Sequence, residues 1–308
     1  MKKYILLFAV ALFALSLSSC RKEDPLNPES IITVNTKEKN DFDKWLEANF
    51  VNPYNISIKY RYEMDQTSSY SYYTIPADLE CSIIMAHLVK YLCIDSYDEV
   101  AGVKFTRTYF PKMFFFIGEW EYSNNGTFRL GTAEGGKKII LTGLNYLPYV
   151  MQGAYSIYSG DPEGGLNHYY VKTIHHEFTH ILNQTKDFPA DFRLVTPTSY
   201  VADSWSDDEY ESGYLPRGFV SAYSQKEDRE DFAEILSLYI TNSQETWDSW
   251  MVEAGDEGAS LIEAKLSIVK SYMRTTFEID LDVLRDVVLR RQAEVFNGEV
   301  DLRSLEIL

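Results

Sequence analysis

The chain of 308 residues carries only three cysteines and five histidines, and its 29 lysines and arginines fall well short of its 46 aspartates and glutamates. Three cysteines cannot staple a chain of this length, so no disulfide scaffold is expected. The formal charge of −17 argues against nucleic-acid binding, which needs a basic patch to neutralise phosphates. It argues equally against adhesion to anionic lipid through surface charge. Even the apolar run from Tyr4 to Leu17 is shorter than the roughly 20 residues a membrane-crossing helix requires. What is present is ordinary for a folded protein. Hydrophobic residues make up 45% and charged residues 24%, enough to bury a core and too apolar for wholesale disorder.

The first residues, MKKYILLFAVALFALSLSSC, place two lysines before a short apolar run and so read as a secretory signal. The end of that run, Leu17-Ser18-Ser19-Cys20, resembles the lipobox of bacterial lipoproteins. The resemblance implies a signal peptide over 1–19, lipidation of Cys20 and attachment to the outer membrane. Arg21-Lys22-Glu23-Asp24 is similar to the export signal of surface lipoproteins in Bacteroidetes-type bacteria. Residues 20–36, with Pro25 and Pro28, suit a tether, which leaves 37–308 as one domain. Removal of 1–19 takes away Lys2, Lys3 and no acid, which moves the charge from −17 to −19.

Cys81 and Cys93 share a segment in which Leu79, Ile83, Ala86, Val89 and Cys93 recur at helical spacing. Twelve residues of helix separate their sulfurs by roughly 18 Å, too far to bond, so both are expected as buried thiols. His87 in the same helix is expected to be structural. Residues 105–120 and 136–147 are β-rich, with a turn expected at Asn124-Asn125-Gly126. Residues 168–184, 228–242, 257–274 and 280–296 read as helices. Strands first and helices after predict an α+β fold with a strand-rich N-terminal part and a helical C-terminal part.

Three of the five histidines fall within six residues of one another. His176-Glu177-Phe178-Thr179-His180 matches H-E-x-x-H, in which positions i and i+4 share one helix face and can hold one Zn²⁺. The intervening Glu177 is placed to act as general base. Counting from His176, His180 falls near 40°, while Ile174, Phe178, Ile181 and Leu182 fall at roughly 140–240°, which gives one apolar stripe with the histidines opposite. His175 lies off the metal face and is expected near the ligands or in solvent.

Zinc hydrolases keep three protein ligands and one open position. Lys186 occupies the place where a metzincin would carry its third histidine. Asp203, Asp207, Asp208, Glu209 and Glu211 read as a solvated loop. Glu230 is the better third ligand, because Glu234 falls about 40° from it while Phe232, Ile235, Leu236 and Tyr239 form the stripe opposite. Glu234 is then placed to accept from a ligand histidine. A rotated helix would put Asp231 or Glu234 in the ligand position instead.

The segment YSQKEDREDFAE, Tyr223 to Glu234, together with HEFTH, resembles the zinc site of anthrax lethal factor-type gluzincins. The resemblance implies His176, His180 and Glu230 as zinc ligands, Glu177 as general base and Tyr223 as the hydroxyl that stabilises the oxyanion. HEFTHILNQTKDFP, SYVADSW, GFVSAYS and EDFAE also resemble the zinc-binding metallopeptidase lipoproteins of Bacteroidetes, with a zincin-like fold. That likeness implies a peptide or protein substrate and association with outer-membrane nutrient import. The strand GKKIILTGLNYL is expected as the edge that pairs an extended peptide. The alternative is a surface lipoprotein that has lost catalysis and binds glycan or peptide, although such a module has no need to keep Glu177.

Overall fold

The computed structural model describes residues 38–66, 72, 74–123 and 127–307. The leader, Cys20, the tether and the turn expected at 124–126 lie outside the described residues. The described residues from Asn40 onward pack as one unit. Among the described residues the six short strands are Ser57–Lys59 (β1), Met113–Phe116 (β2), Glu121–Tyr122 (β3), Phe128–Arg129 (β4), Gly131–Glu134 (β5) and Lys138–Leu141 (β6). Phe114, Phe115, Phe116, Ile139, Ile140 and Leu141 are at most 2% exposed. An apolar run buried on both faces belongs in the middle of a sheet, and β2 and β6 are the central pair of the order β1-β2-β6-β5. β1 and β6 run parallel to β2, whereas β5 runs antiparallel to β6 with Thr132 opposite Ile140.

β6 was the strand expected at the edge, and the structure corrects this. Its apolar residues draw it into the interior, and the half-buried β5 takes the edge. β5 also runs close to the helix that carries HEFTH. Gly131 makes that approach possible, because a Cβ there would stand 2.8 Å from the Thr173 methyl.

Every strand among the described residues precedes residue 142, and helix and loop follow, which is the α+β layout expected. Helices are nonetheless interleaved with the early strands. Asp41–Leu46, Glu47–Val51 and Asn52–Tyr54 precede β1, and four helical segments from Leu79 to Tyr109 fill the connection to β2. Residues 105–109, expected as strand, form the end of the helix Val103–Tyr109. Phe110 precedes Pro111, which disfavours helical backbone there. Phe110 is extended at φ −64°, ψ 147°, so the helix stops and the strand starts at Met113. Cys81 and Cys93 are free, buried thiols. His87 is structural, stacked on Trp45 at 4.1 Å with its ring nitrogens 2.9 Å from the Ile83 and Ser304 carbonyls. Among the described residues no helix is long and apolar enough to cross a membrane.

The C-terminal half is built from the motif helix Lys172–Thr185, the glutamate helix Asp228–Thr241, the long helix Gln244–Phe277 and the last helix Leu281–Phe296. Gly255, at φ 67°, breaks the long helix, and the stretch expected over 257–274 is its second part. Ile174, Phe178, Ile181 and Leu182 are at most 2% exposed, and Phe178 meets the rings of Tyr97, Phe105 and Phe110. Phe232, Ile235 and Leu236 are fully buried on the glutamate helix. Both predicted stripes therefore face the core.

The glutamate helix and the long helix are joined by a buried ion pair. Lys265 Nζ lies 2.7 Å from Asp231 Oδ2, with both side chains fully buried. Lys265 also donates to the Gly218 carbonyl at 2.7 Å and stands 3.8 Å over the Phe219 ring. Tyr200 donates to the same Asp231 oxygen, and Asp231 Oδ1 has no partner. Burial outweighs the pairing, so Asp231 is pushed up to about 6 and Lys265 is lowered. Removing one partner strands the other in an apolar core. Lys265→Met should cost about 3–5 kcal/mol in a denaturant titration, and Lys265→Met with Asp231→Leu should recover most of it.

Candidate metal centre

The motif helix and the glutamate helix pack along each other, each with its apolar stripe in the core. This leaves the polar edges of both facing one small space. His176 Nε2 and His180 Nε2 are 3.1 Å apart, and each is 3.0 Å from Glu230 Oε2. His176 is 5% exposed, and the side chains of His180 and Glu230 are 19% and 12% exposed. Among the described residues, these three form the group of histidine and carboxylate atoms close enough to share one ion.

The donor set fits zinc. A tetrahedral ion with bonds of about 2.0–2.2 Å holds its ligand atoms about 3.3 Å apart, close to the separations here. Two imidazole nitrogens and one carboxylate oxygen that all aim at the same point cannot be satisfied by a single proton. One cation satisfies all three. Without such an ion, burial works against charge on His176, but hydrogen bonds to Glu230 and Glu234 prevail and raise it to about 9. Burial likewise opposes the Glu230 carboxylate, and the two histidines hold it far below the usual range.

Behind His176 stands Glu234, only 1% exposed. Its Oε1 is 2.7 Å from His176 Nδ1 and accepts from Lys172 Nζ at 2.6 Å, and its Oε2 accepts from Ser221 Oγ at 2.7 Å. Burial pushes the carboxyl up, but Lys172 and His176 prevail and hold it well below its ordinary value. A carboxylate beside Nδ1 keeps the imidazole proton there and leaves the Nε2 lone pair aimed at the triangle.

Tyr223 donates to Glu230 Oε1 at 2.9 Å, and its ring lies edge-on to Trp205 at 4.9 Å. Burial, then Glu230, raises its phenol far above the usual value. Lys226 Nζ stands 3.8 Å from Glu230 Oε1 and 5.4 Å over the Tyr223 ring. Glu177 is 9% exposed and near enough to His176 and Tyr223 to act on both electrostatically. Its carboxylate has no hydrogen-bond partner among the described residues, a suitable condition for a group that must accept a proton.

The structure therefore brings His176, Glu177, His180, Tyr223, Glu230 and Glu234 together. Asp231 faces Lys265 and Glu234 faces the back of His176, so the rotated-helix alternatives do not match the geometry. His175 departs from expectation. It is fully buried, 3.3 Å from the Tyr97 hydroxyl and 3.8 Å from Cys93 Sγ, and is neither beside the ligands nor in solvent. Burial lowers its imidazole to about 3. Asp203, Asp207, Asp208, Glu209 and Glu211 lie exposed on their loop, as the acid run suggested. Lys172, Ser221 and Lys226 were not identified from sequence. Both lysines sit four residues before a site residue, His176 or Glu230, and that spacing was the available signal.

Residues 35–282 match the family model described as "putative zinc-binding metallo-peptidase". Among solved structures, the chain is similar to a putative zinc-binding metallo-peptidase from Bacteroides caccae ATCC 43185. The identity is 38% over 90% of this chain and 100% of that one, with a TM-score of 0.70. No curated protein matches. Family and neighbour agree on the metal that the two histidines and the glutamate suit. Matched over most of its length, this chain belongs to the zinc-binding metallo-peptidase family.

Proposed function

We propose that this chain is a gluzincin-type zinc peptidase that cleaves peptide or protein substrates, anchored to the outer membrane through lipid on Cys20. The observation that carries the reading is the triangle of His176 Nε2, His180 Nε2 and Glu230 Oε2, with sides of 3.0–3.1 Å. These three residues hold the metal. Zinc supplies a Lewis acid there, which polarises the scissile carbonyl and acidifies a water molecule.

The chain's own groups do the rest. Glu177 takes the proton from the attacking water and later passes it to the leaving amine. Tyr223 turns its hydroxyl from Glu230 to the oxyanion, a donor aimed at charge that develops only in the transition state. Glu234 fixes the ring of His176, itself fixed by Lys172 and Ser221. β5 is, among the described residues, the sheet edge beside the motif helix, on which an extended substrate pairs. Surface exposure and service to a nutrient-import complex belong to the same proposal; the first rests on the leader and tether residues 1–36, the second on the likeness of HEFTHILNQTKDFP, SYVADSW, GFVSAYS and EDFAE to the lipoprotein family. The intact and unengaged Glu177 favours a peptidase over a binding module.

Glu177→Gln should keep full zinc content, measured by elemental analysis, and lose about 10²–10⁴-fold in peptide hydrolysis. Hydrolysis surviving with full zinc would remove Glu177 from its role. Glu234→Gln should weaken zinc about 10- to 100-fold in a chelator competition, since it loosens the orientation of His176 without removing a ligand. Cys20→Ser should abolish incorporation of labelled fatty acid in cells, and label retained on the variant would refute the anchor.

A further inference from the structure

We infer that Lys226 is a positioning residue for Glu230, poised to take over its second carboxylate oxygen when Tyr223 turns to the substrate. The inference rests on the reading of Glu230 as a ligand and Tyr223 as the oxyanion donor. Glu230 divides its two oxygens between separate tasks. Oε2 belongs to the triangle with His176 and His180. Oε1 accepts from the Tyr223 hydroxyl at 2.9 Å and has Lys226 Nζ at 3.8 Å. Among the described residues these are the two donors at Oε1.

A phenol has a single O–H to give. When Tyr223 donates to a substrate oxyanion, it cannot also donate to Oε1. That oxygen is then left without a donor in a side chain only 12% exposed. Without a donor, Oε1 would compete with Oε2 for a cation held at the triangle and would turn the Glu230 carboxylate away from His176 and His180. Lys226 is placed to prevent this. It lies four residues before Glu230, at the end of the short 3₁₀ turn Tyr223–Gln225 and just ahead of the glutamate helix, keeps its side chain 29% exposed, and has three donors on a flexible stem. Its ammonium needs to move only about 1 Å to reach ordinary hydrogen-bond distance. It already lies over the ring of Tyr223, the residue it would replace.

The prediction is redundancy, and a double-mutant cycle reads it directly. Lys226→Met, Tyr223→Phe and the double variant of the full lipidated chain in detergent would be titrated with Zn²⁺ against a chromogenic chelator. Each single variant should weaken zinc by less than about threefold, because the other donor still holds Oε1. The double variant should lose about 10- to 100-fold, the range of outer partners of metal ligands. Lys226→Arg in the Tyr223→Phe background should restore the affinity of Tyr223→Phe alone. That rescue also guards against misfolding, since an unfolded double variant would say nothing of Oε1. With Co²⁺ in place of Zn²⁺, the visible spectrum should change in the double variant and not in either single. Losses that merely multiply, or an arginine that fails to rescue a folded protein, would overturn the proposal. Glu230→Gln is the control for the parent reading. If it binds zinc as well as the natural chain, Glu230 is not a ligand, whatever the cycle gives.

Discussion

The carboxylate of Glu234 is almost wholly buried, and the arrangement of the metal centre depends on how its charge is met. Left alone in that position it would take up a proton. It stays ionised because Lys172 and His176 from the motif helix and Ser221 from the strap before Tyr223 all reach it. Each contact also fixes geometry. The contact with Nδ1 turns the His176 ring so that Nε2 faces His180 and Glu230. The Ser221 hydroxyl pins the segment that brings Tyr223 over Glu230. Lys172, one turn before His176, ties the glutamate helix to the helix it packs against.

Such precision requires a rigid support, which the apolar faces of the two helices provide. Phe178 is wedged among Tyr97, Phe105 and Phe110, while Phe232 is held by Phe188, Phe192 and Tyr272. These rings come from both halves of the chain. The helix phase that sets the triangle of His176, His180 and Glu230 is thus fixed by the same contacts that close the core. A shift of either helix by one residue would turn charged groups into the aromatic cluster.

Much of the centre was legible because helix geometry alone determines it. His176 and His180 must share a face, and Glu230 and Glu234 could be ranked by their angle from the apolar stripe of their own helix. What escaped was whatever depends on a partner from elsewhere in the chain. Nothing around Asp231 announces that Lys265 will meet it from the next helix. Nothing around His175 shows that Tyr97 and Cys93 will enclose it, so this neighbour of His176, expected near the ligands or in solvent, is buried in the core instead. The helix at Val103–Tyr109 was mistaken for strand for another reason. Aromatic residues such as Phe105 and Tyr109 also favour strands, and Pro111, which ends the helix, also suits a strand boundary. β6 was misplaced at the edge because apolarity shows that a strand is buried, not which neighbours bury it.

Three acids in five residues, Glu230, Asp231 and Glu234, enter the interior on one helix. Buried so close together they would repel one another and protonate unless each met its own positive or donating group. Those groups are the histidines and Lys172 of the motif helix, Lys265 of the long helix, Ser221, Tyr223 and Lys226 of the intervening strap, and Tyr200 from the loop before it. The match is uneven. Glu230 and Glu234, each with several donors, are held ionised, whereas Asp231, with one oxygen unpartnered, is pushed up to about 6. None of these pairings is local to a single element, so the charged state of the glutamate helix exists only once the motif helix, the strap and the long helix have docked around it. Folding and assembly of the ligand triangle are therefore one event. A metal that binds the assembled triangle and not the unfolded chain stabilises the whole unit by mass action, because the triangle exists only in the docked arrangement that also meets the three buried carboxylates.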